Sequence, residues 1–135
     1  MKIEHTITPE IADINFLTAK INEETPDFGL SYPFAFFIRN YYGKIIAGCN
    51  GSVIFGSIYT DQLWVDPSYR KQGWGRKLME NVHDYGSNIG CTIATVTTMS
   101  FQNSCSFYKS LGYESDFKRI GYAKDSSCIF LKKLL

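Results

Sequence analysis

The sequence predicts one α/β domain. Its centre is a twisted mixed sheet, mostly antiparallel with one parallel strand pair, and helices lie on both faces. Three observations carry this. The apolar pattern alternates between period two and period 3.6 along the chain, in the order β-α-(α)-β-β-β-α-β-α-β-β. The strand–helix–strand passage from 57 to 97 requires a right-handed parallel crossover. The hairpins flanking that passage require antiparallel pairing, and strands mixed with helices in this way pack in layers.

Each element has its own signal. Residues 2–7 alternate weakly and predict an edge strand. Thr8 as N-cap and Pro9 at the first helical position open a helix, with Ile11, Ile14, Leu17 and Ile21 at helical spacing. The stretch Glu23-Glu24-Thr25-Pro26-Asp27 ends it, and a short helix or loop follows to Ser31. Phe34–Asn40 and Lys44–Phe55 form a hairpin around Tyr41-Tyr42-Gly43, with Gly48 and Gly51 marking a bulge or a weak point. Ser57–Val65 is a strand ending at Asp66-Pro67. From Gly73 a helix shows Trp74, Leu78, Val82 and Tyr85 on one face, and Gly86 and Gly90 bracket its exit. Cys91–Thr97 is a β-branched strand. Ser100 is the expected N-cap of a helix carrying Phe101, Cys105, Tyr108 and Leu111, closed by Gly112. Tyr113–Arg119 and Cys128–Leu134 are the last strands.

Composition excludes several classes. The 135 residues fit one domain with a real core, and 44% hydrophobic against 20% charged residues is globular usage. Aromatics reach 16%, many of them between residues 28 and 42, which suggests a tightly packed region first and a ligand-lined one as the alternative. A net charge of +1 offers nothing to nucleic acid or to a membrane surface, and no apolar run approaches the roughly 20 residues of a span. The start Met1-Lys2-Ile3-Glu4-His5 has no secretory pattern, so a cytoplasmic chain with free thiols at Cys49, Cys91, Cys105 and Cys128 is expected. These cysteines show no C-x-x-C spacing, so no metal is expected.

The richest segment runs from Asp66 to Lys77, between a strand and a helix. Gly73 and Gly75 let the backbone approach a ligand and leave the amides of the first helical turn free. Those donors, the helix dipole and the side chains of Arg70, Lys71, Arg76 and Lys77 suit a pyrophosphate. The P-loop pattern is absent, and a dinucleotide G-x-G-x-x-G would need glycine where Leu78 stands. What remains is Arg-x-x-Gly-x-Gly, met by Arg70, Gly73 and Gly75. On the loop alone, a solvated basic helix start stays open as the alternative.

Three segments together resemble the GNAT superfamily of acyl-CoA-dependent N-acetyltransferases. Asp61-Gln62-Leu63-Trp64-Val65-Asp66-Pro67 resembles its fourth strand, Arg70 to Arg76 its pyrophosphate loop, and Phe107-Tyr108-Lys109-Ser110-Leu111-Gly112-Tyr113-Glu114 its F-Y-x-x-L-G-F/Y signature. One position departs. Many members carry an Asn seven residues before the signature Tyr, where this chain has Phe101, and Gln102 and Asn103 are out of register.

The resemblance implies that strands 57–65 and 91–97 splay at their C-terminal ends and take acetyl-CoA as co-substrate. Cofactor contacts are then expected at Trp64, Val65, Arg70, Lys71, Gln72, Gly73, Trp74, Gly75, Arg76 and Tyr108. The Val65 amide would polarise the thioester carbonyl. Tyr108 is the expected acid for the leaving thiolate, since a phenol near ~10 and a thiol near ~8.5 are close in pKa. Asp61, four residues before Val65 and so on its face, is the expected base; a structural ion pair is the alternative. Glu23 and Glu24 are weaker candidates. Cys105 lacks a partner at His5 or His83, and His83 reads as surface.

The acceptor side implied by the resemblance gathers Glu23, Glu24, Asp27, Phe28, Tyr32 and Phe34 with Tyr122. Carboxylates among aromatics suit a small cationic primary amine. A CoA-binding module without catalysis and an enzyme acting on a protein or charged-tRNA amine are the other readings. The sequence leaves assembly as a homodimer open.

Overall fold

The computed structural model describes all 135 residues. Helix α1 spans Ile11–Glu24, α2 Trp74–Asn88 and α3 Cys105–Ser110. Strands are β1 Ser31–Arg39, β2 Ile45–Ile54, β3 Ser57–Val65, β4 Ile93–Met99, β5 Glu114–Arg119 and β6 Cys128–Leu134. They form one sheet in the order β1-β2-β3-β4-β6-β5. Only β3 and β4 run parallel, joined by α2 as the crossover rule demands. No helix is long and apolar enough to cross a membrane.

The core lies between the sheet and α2. Leu78, Met79 and Val82 of α2 are buried with Ile58, Ala94, Val96 and Leu131 of the sheet. Gly86 permits this closeness, since a Cβ there would sit 2.8 Å from Ile58 Cγ2. Tyr85 meets Phe34 and Phe36 of β1, with ring centroids 6.3 and 6.0 Å away. Helix α3 lies beside α2: Phe107 reaches Gly75, and Arg76 Nη2 donates to Ser110 Oγ at 3.3 Å.

Four expectations change. Residues 2–7 form no strand; their two apolar side chains, Ile3 and Ile7, stay exposed and bury too little to order a segment. Helix α1 starts at Ile11 behind an extended Glu10, because the Thr8 amide is taken by Thr6 Oγ1. No residue of α1 is buried, so its apolar stripe does not reach the core. Ser100 caps no helix. Its amide donates to Ser127 O at 2.8 Å and its Oγ accepts from the Ser127 amide at 2.9 Å, which prolongs the β4–β6 pairing. Helix α3 therefore starts only at Cys105 and leaves Phe101 exposed.

Candidate active site

The parallel pairing of β3 with β4 covers only Ser57↔Ile93 to Thr60↔Val96. Beyond Thr60 the two strands part. At the same point β3 carries a bulge: Asn50 opposes Gln62 and Gly51 opposes Thr60, so Asp61 has no partner in β2. Gly51 makes this possible, because a Cβ there would lie 1.8 Å from Tyr59 O.

The bulge alters the parity of β3. Asp61 does not share a face with Val65. Its Oδ1 accepts from Tyr59 Oη at 3.4 Å on the face away from α2, and Tyr59 Oη also lies 3.4 Å from Thr97 Oγ1. Counting four residues assumes an unbroken pleat, and the extra residue breaks it. Asp61 is exposed and follows Thr60, the last residue of β3 paired with β4.

Backbone direction is fixed by one bond. The Asp66 amide donates to Ile46 O at 2.8 Å, toward β2. By alternation the Trp64 groups also face β2, while those of Leu63 and Val65 face the gap. Trp64 therefore meets the gap through its side chain, and Leu63 joins Val65 in presenting backbone. The Val65 carbonyl already accepts from Arg70 Nε at 2.7 Å, which leaves its amide.

The gap opens into a cleft of about 630 Å³ lined by β3, the following loop, the start of α2 and α3. Trp64, Val65, Arg70, Lys71, Gly73, Trp74, Gly75, Arg76 and Tyr108 all line it. Gln72 does not; its Oε1 accepts from Trp74 Nε1 at 3.3 Å. Asp66 shapes the loop by accepting the Ser68 amide at 2.8 Å. Gly73 caps α2 in the left-handed region (φ 89), and Lys71 before it is also left-handed (φ 60). Such backbone costs a non-glycine residue about 1 kcal/mol and clusters at ligand clamps. The Trp74, Gly75 and Arg76 amides make no backbone hydrogen bond, so the dipole end of α2 is open to an anion. Lys77 instead stacks over Trp74, its Nζ 5.6 Å from the ring.

Tyr108 forms the floor. It is buried, its ring meets Phe107 and Tyr113 edge-on at 5.2 and 5.6 Å, and it lines the cleft. Burial, and then the neighbouring Cys49 and Tyr59, push its pKa up to about 12. Behind it, Tyr113 Oη lies 2.7 Å from His83 Nε2. His83 is thus half-buried, not a surface residue, and burial followed by Lys133 pushes it down to about 4.

Five cleft residues lie outside the site expected from the sequence: Leu63, Tyr69, Asn103, Ser104 and Phe107, the last being part of the F-Y-x-x-L-G signature but given no site role. The late start of α3 brings Asn103 to the cleft from a register five residues before Tyr108. No motif spacing signals that shift. The acceptor group expected from the sequence does not assemble at the cleft. Phe34 is core, and Asn22 of α1 holds Ser31, which aligns through Ile54 with Ser57 at the opposite end of β3 from Val65. No three potential metal ligands cluster anywhere in the chain.

Residues 8–113 match the family model described as "Acetyltransferase (GNAT) family". The chain belongs to that family. GNAT enzymes use acetyl-CoA, and the cleft's free amides and basic loop fit its pyrophosphate. Among solved structures, an acetyltransferase from Bacillus cereus is 25% identical over 98% of each chain, with a TM-score of 0.74. A protein of Agrobacterium tumefaciens assigned as an acetyltransferase is 20% identical over the whole of both chains, with a TM-score of 0.80. A Bacillus anthracis protein assigned as a streptothricin acetyltransferase, solved with acetyl-CoA, shares the GNAT fold at 15% identity and a TM-score of 0.69, over 76% of this chain and 62% of its own. No curated protein matches the chain.

Proposed function

We propose that this chain transfers an acetyl group from acetyl-CoA directly to a primary amine of a small molecule. The observation that carries the reading is one continuous cleft. It joins the free amides at the start of α2 to Tyr108 on its floor. The loop Arg70–Arg76 holds the pyrophosphate. The backbone edge of Leu63 and Val65 lines the arm leading to the thioester, and a donor aimed at the developing oxyanion is commonly the largest catalytic contribution.

The amine nitrogen attacks the thioester carbon, the carbon–sulfur bond breaks, and the thiolate leaves. Asp61 receives the surplus proton of the ammonium, directly or through water. Tyr108 stands on the thiolate side. A phenol at about 12 and a thiol near ~8.5 differ by roughly 5 kcal/mol in proton transfer. Tyr108 therefore acts chiefly by donating a hydrogen bond to sulfur as charge develops, with full transfer late. Its raised pKa keeps it protonated and ready to donate.

The test is thiol release from acetyl-CoA across a panel of primary amines, with Tyr108→Phe as control. Turnover lost in the control supports the reading. Acetyl-CoA binding without thiol release on any amine would identify a binding module instead.

A further inference from the structure

The first 30 residues hold ten large apolar side chains, and none is buried; the least exposed, Ile14, still shows 43% of its surface. Helix α1 is the centre of this segment. It meets the sheet chiefly at β1, the edge strand, and its only half-buried residues are Thr18 and Asn22. At 3.6 residues per turn, Phe16 and Leu17 lie on the side turned away from those two, and Ile14 and Ile21 border it. Asp13 and Lys20 fall on the same outward side, one about a turn before Phe16 and Leu17 and the other about a turn after.

Two features point to what covers this face. The first is area. At roughly 100 Å² for each half-exposed side chain, the four apolar residues offer about 400 Å². Ile3 and Ile7, in the arm before α1, add about 200 Å² more. A standard interface takes ~800 Å² from each partner, a little over half of it apolar. The face is therefore the size of one protein contact.

The second feature is charge, and the pattern is its own complement. Asp13 and Lys20 stand equally far on either side of a point between Phe16 and Leu17. An antiparallel helix pair centred on that point sets Asp13 of each level with Lys20 of the other, twice over, while Phe16 and Leu17 cross in the middle. A parallel pair would set Asp13 against Asp13. Lys20 is free to change partner: its present one is Glu23 of the same helix at 3.4 Å, both side chains being exposed, and such a pair is worth little. Glu10 and Glu23 come level only at the outer ends, where water and salt screen them.

We propose that α1 is a self-association surface: two copies of this chain pair α1 against α1, antiparallel, through Phe16, Leu17, Ile14 and Ile21, with Asp13 of each bridged to Lys20 of the partner subunit. The contact is isologous, as a two-fold pair requires. It stands apart from acetyl transfer, since neither Asp13 nor Lys20 lines the cleft.

The experiment is sedimentation equilibrium at low ionic strength, from ~1 to ~500 µM chain, a range that brackets micromolar association. Far-UV circular dichroism controls for folding. The average mass of the wild type should rise from one chain to two and stop there. Asp13→Lys sets lysine against lysine at both bridges, and Lys20→Asp sets aspartate against aspartate. Each should weaken the dimer at least ~10-fold, about 1.4 kcal/mol. The two single variants mixed in equal amounts should pair with each other, because both bridges are then restored, and the double variant Asp13→Lys/Lys20→Asp should dimerise like the wild type. A wild type that stays one chain throughout the range overturns the proposal, as does association that grows past two chains. So does a dimer that neither reversal weakens, which would use another surface. If the reversals act only by melting α1, the mixture stays as dissociated as its components, and that result also overturns the pairing.

Discussion

Tyr108 is the residue on which burial and chemistry pull in different directions. It belongs to the core cluster, yet it also lines the cleft. Phenylalanine in its place keeps the packing and removes the donor. Tyr108→Phe should lower kcat by about 100-fold or more, while the acetyl-CoA KM moves less than about threefold. The raised pKa adds a second expectation. Because Tyr108 stays protonated until about 12, its ionisation should cause no fall in kcat up to pH ~10. A descending limb near pH 10 that disappears in the phenylalanine variant would contradict this. Gly51 makes a sharper structural case. A Cβ at 1.8 Å from Tyr59 O meets backbone and cannot be relieved by a rotamer change. Gly51→Ala should cost at least about 3 kcal/mol in urea denaturation, because it forces the ladder to open at the bulge.

At the scale of elements, the loop and first turn of α2 should govern cofactor affinity. Gly73 holds φ 89, so Gly73→Asp adds backbone strain and sets a carboxylate beside the open amides. The acetyl-CoA KM should rise by about tenfold or more, with kcat at saturation changed far less. This segment was also the most legible in the sequence, because glycine spacing and clustered basic residues act locally. The strands and α2 were legible for a similar reason: their apolar periods are long and regular. The bulge was not. Asn50, Gly51 and Asp61 show a glycine in a strand, but which residue is extruded depends on register between β2 and β3. That is why the sequence pattern alone puts Asp61 on the face of Val65. Asn103 is hidden from the sequence for a similar reason. Helix α3 was expected to start at Ser100, but Ser100 bonds to Ser127, and a cross-strand bond leaves no periodic trace. His83 read as surface because its partner Tyr113 lies 30 positions away.

Two consequences belong to the whole molecule. The first is an acid limb in stability. Burial pushes His83 down to about 4, below its ordinary 6.5, so the native state rejects a proton that the unfolded chain accepts. The contribution is fully present above pH 6.5 and is lost as pH falls from 6.5 toward 4. Since His83 is only half-buried, solvent screening limits it to the order of 1 kcal/mol. The urea midpoint should fall over that window, and His83→Gln, which cannot titrate but keeps an acceptor for Tyr113, should flatten that part of the fall. The second concerns how cooperatively the chain unfolds. The core cluster unites α2, α3 and all strands except β5, but it contains no residue of α1. A helix of 14 residues is marginal in water when nothing covers it, and Ile11, Leu17 and Ile21 are each more than half exposed. Its tie to the sheet is the pair of 2.8 Å bonds between Asn22 and Ser31. Amides of residues 11–20 should therefore exchange with solvent by local opening, far faster than those of β3, β4 and α2, whose exchange needs global unfolding. Hydrogen exchange read by mass spectrometry on the dilute chain decides this. Protection of α1 equal to that of β4 would mean that something covers its apolar stripe, and the dependence of that protection on protein concentration would show whether the cover is a second copy of the chain.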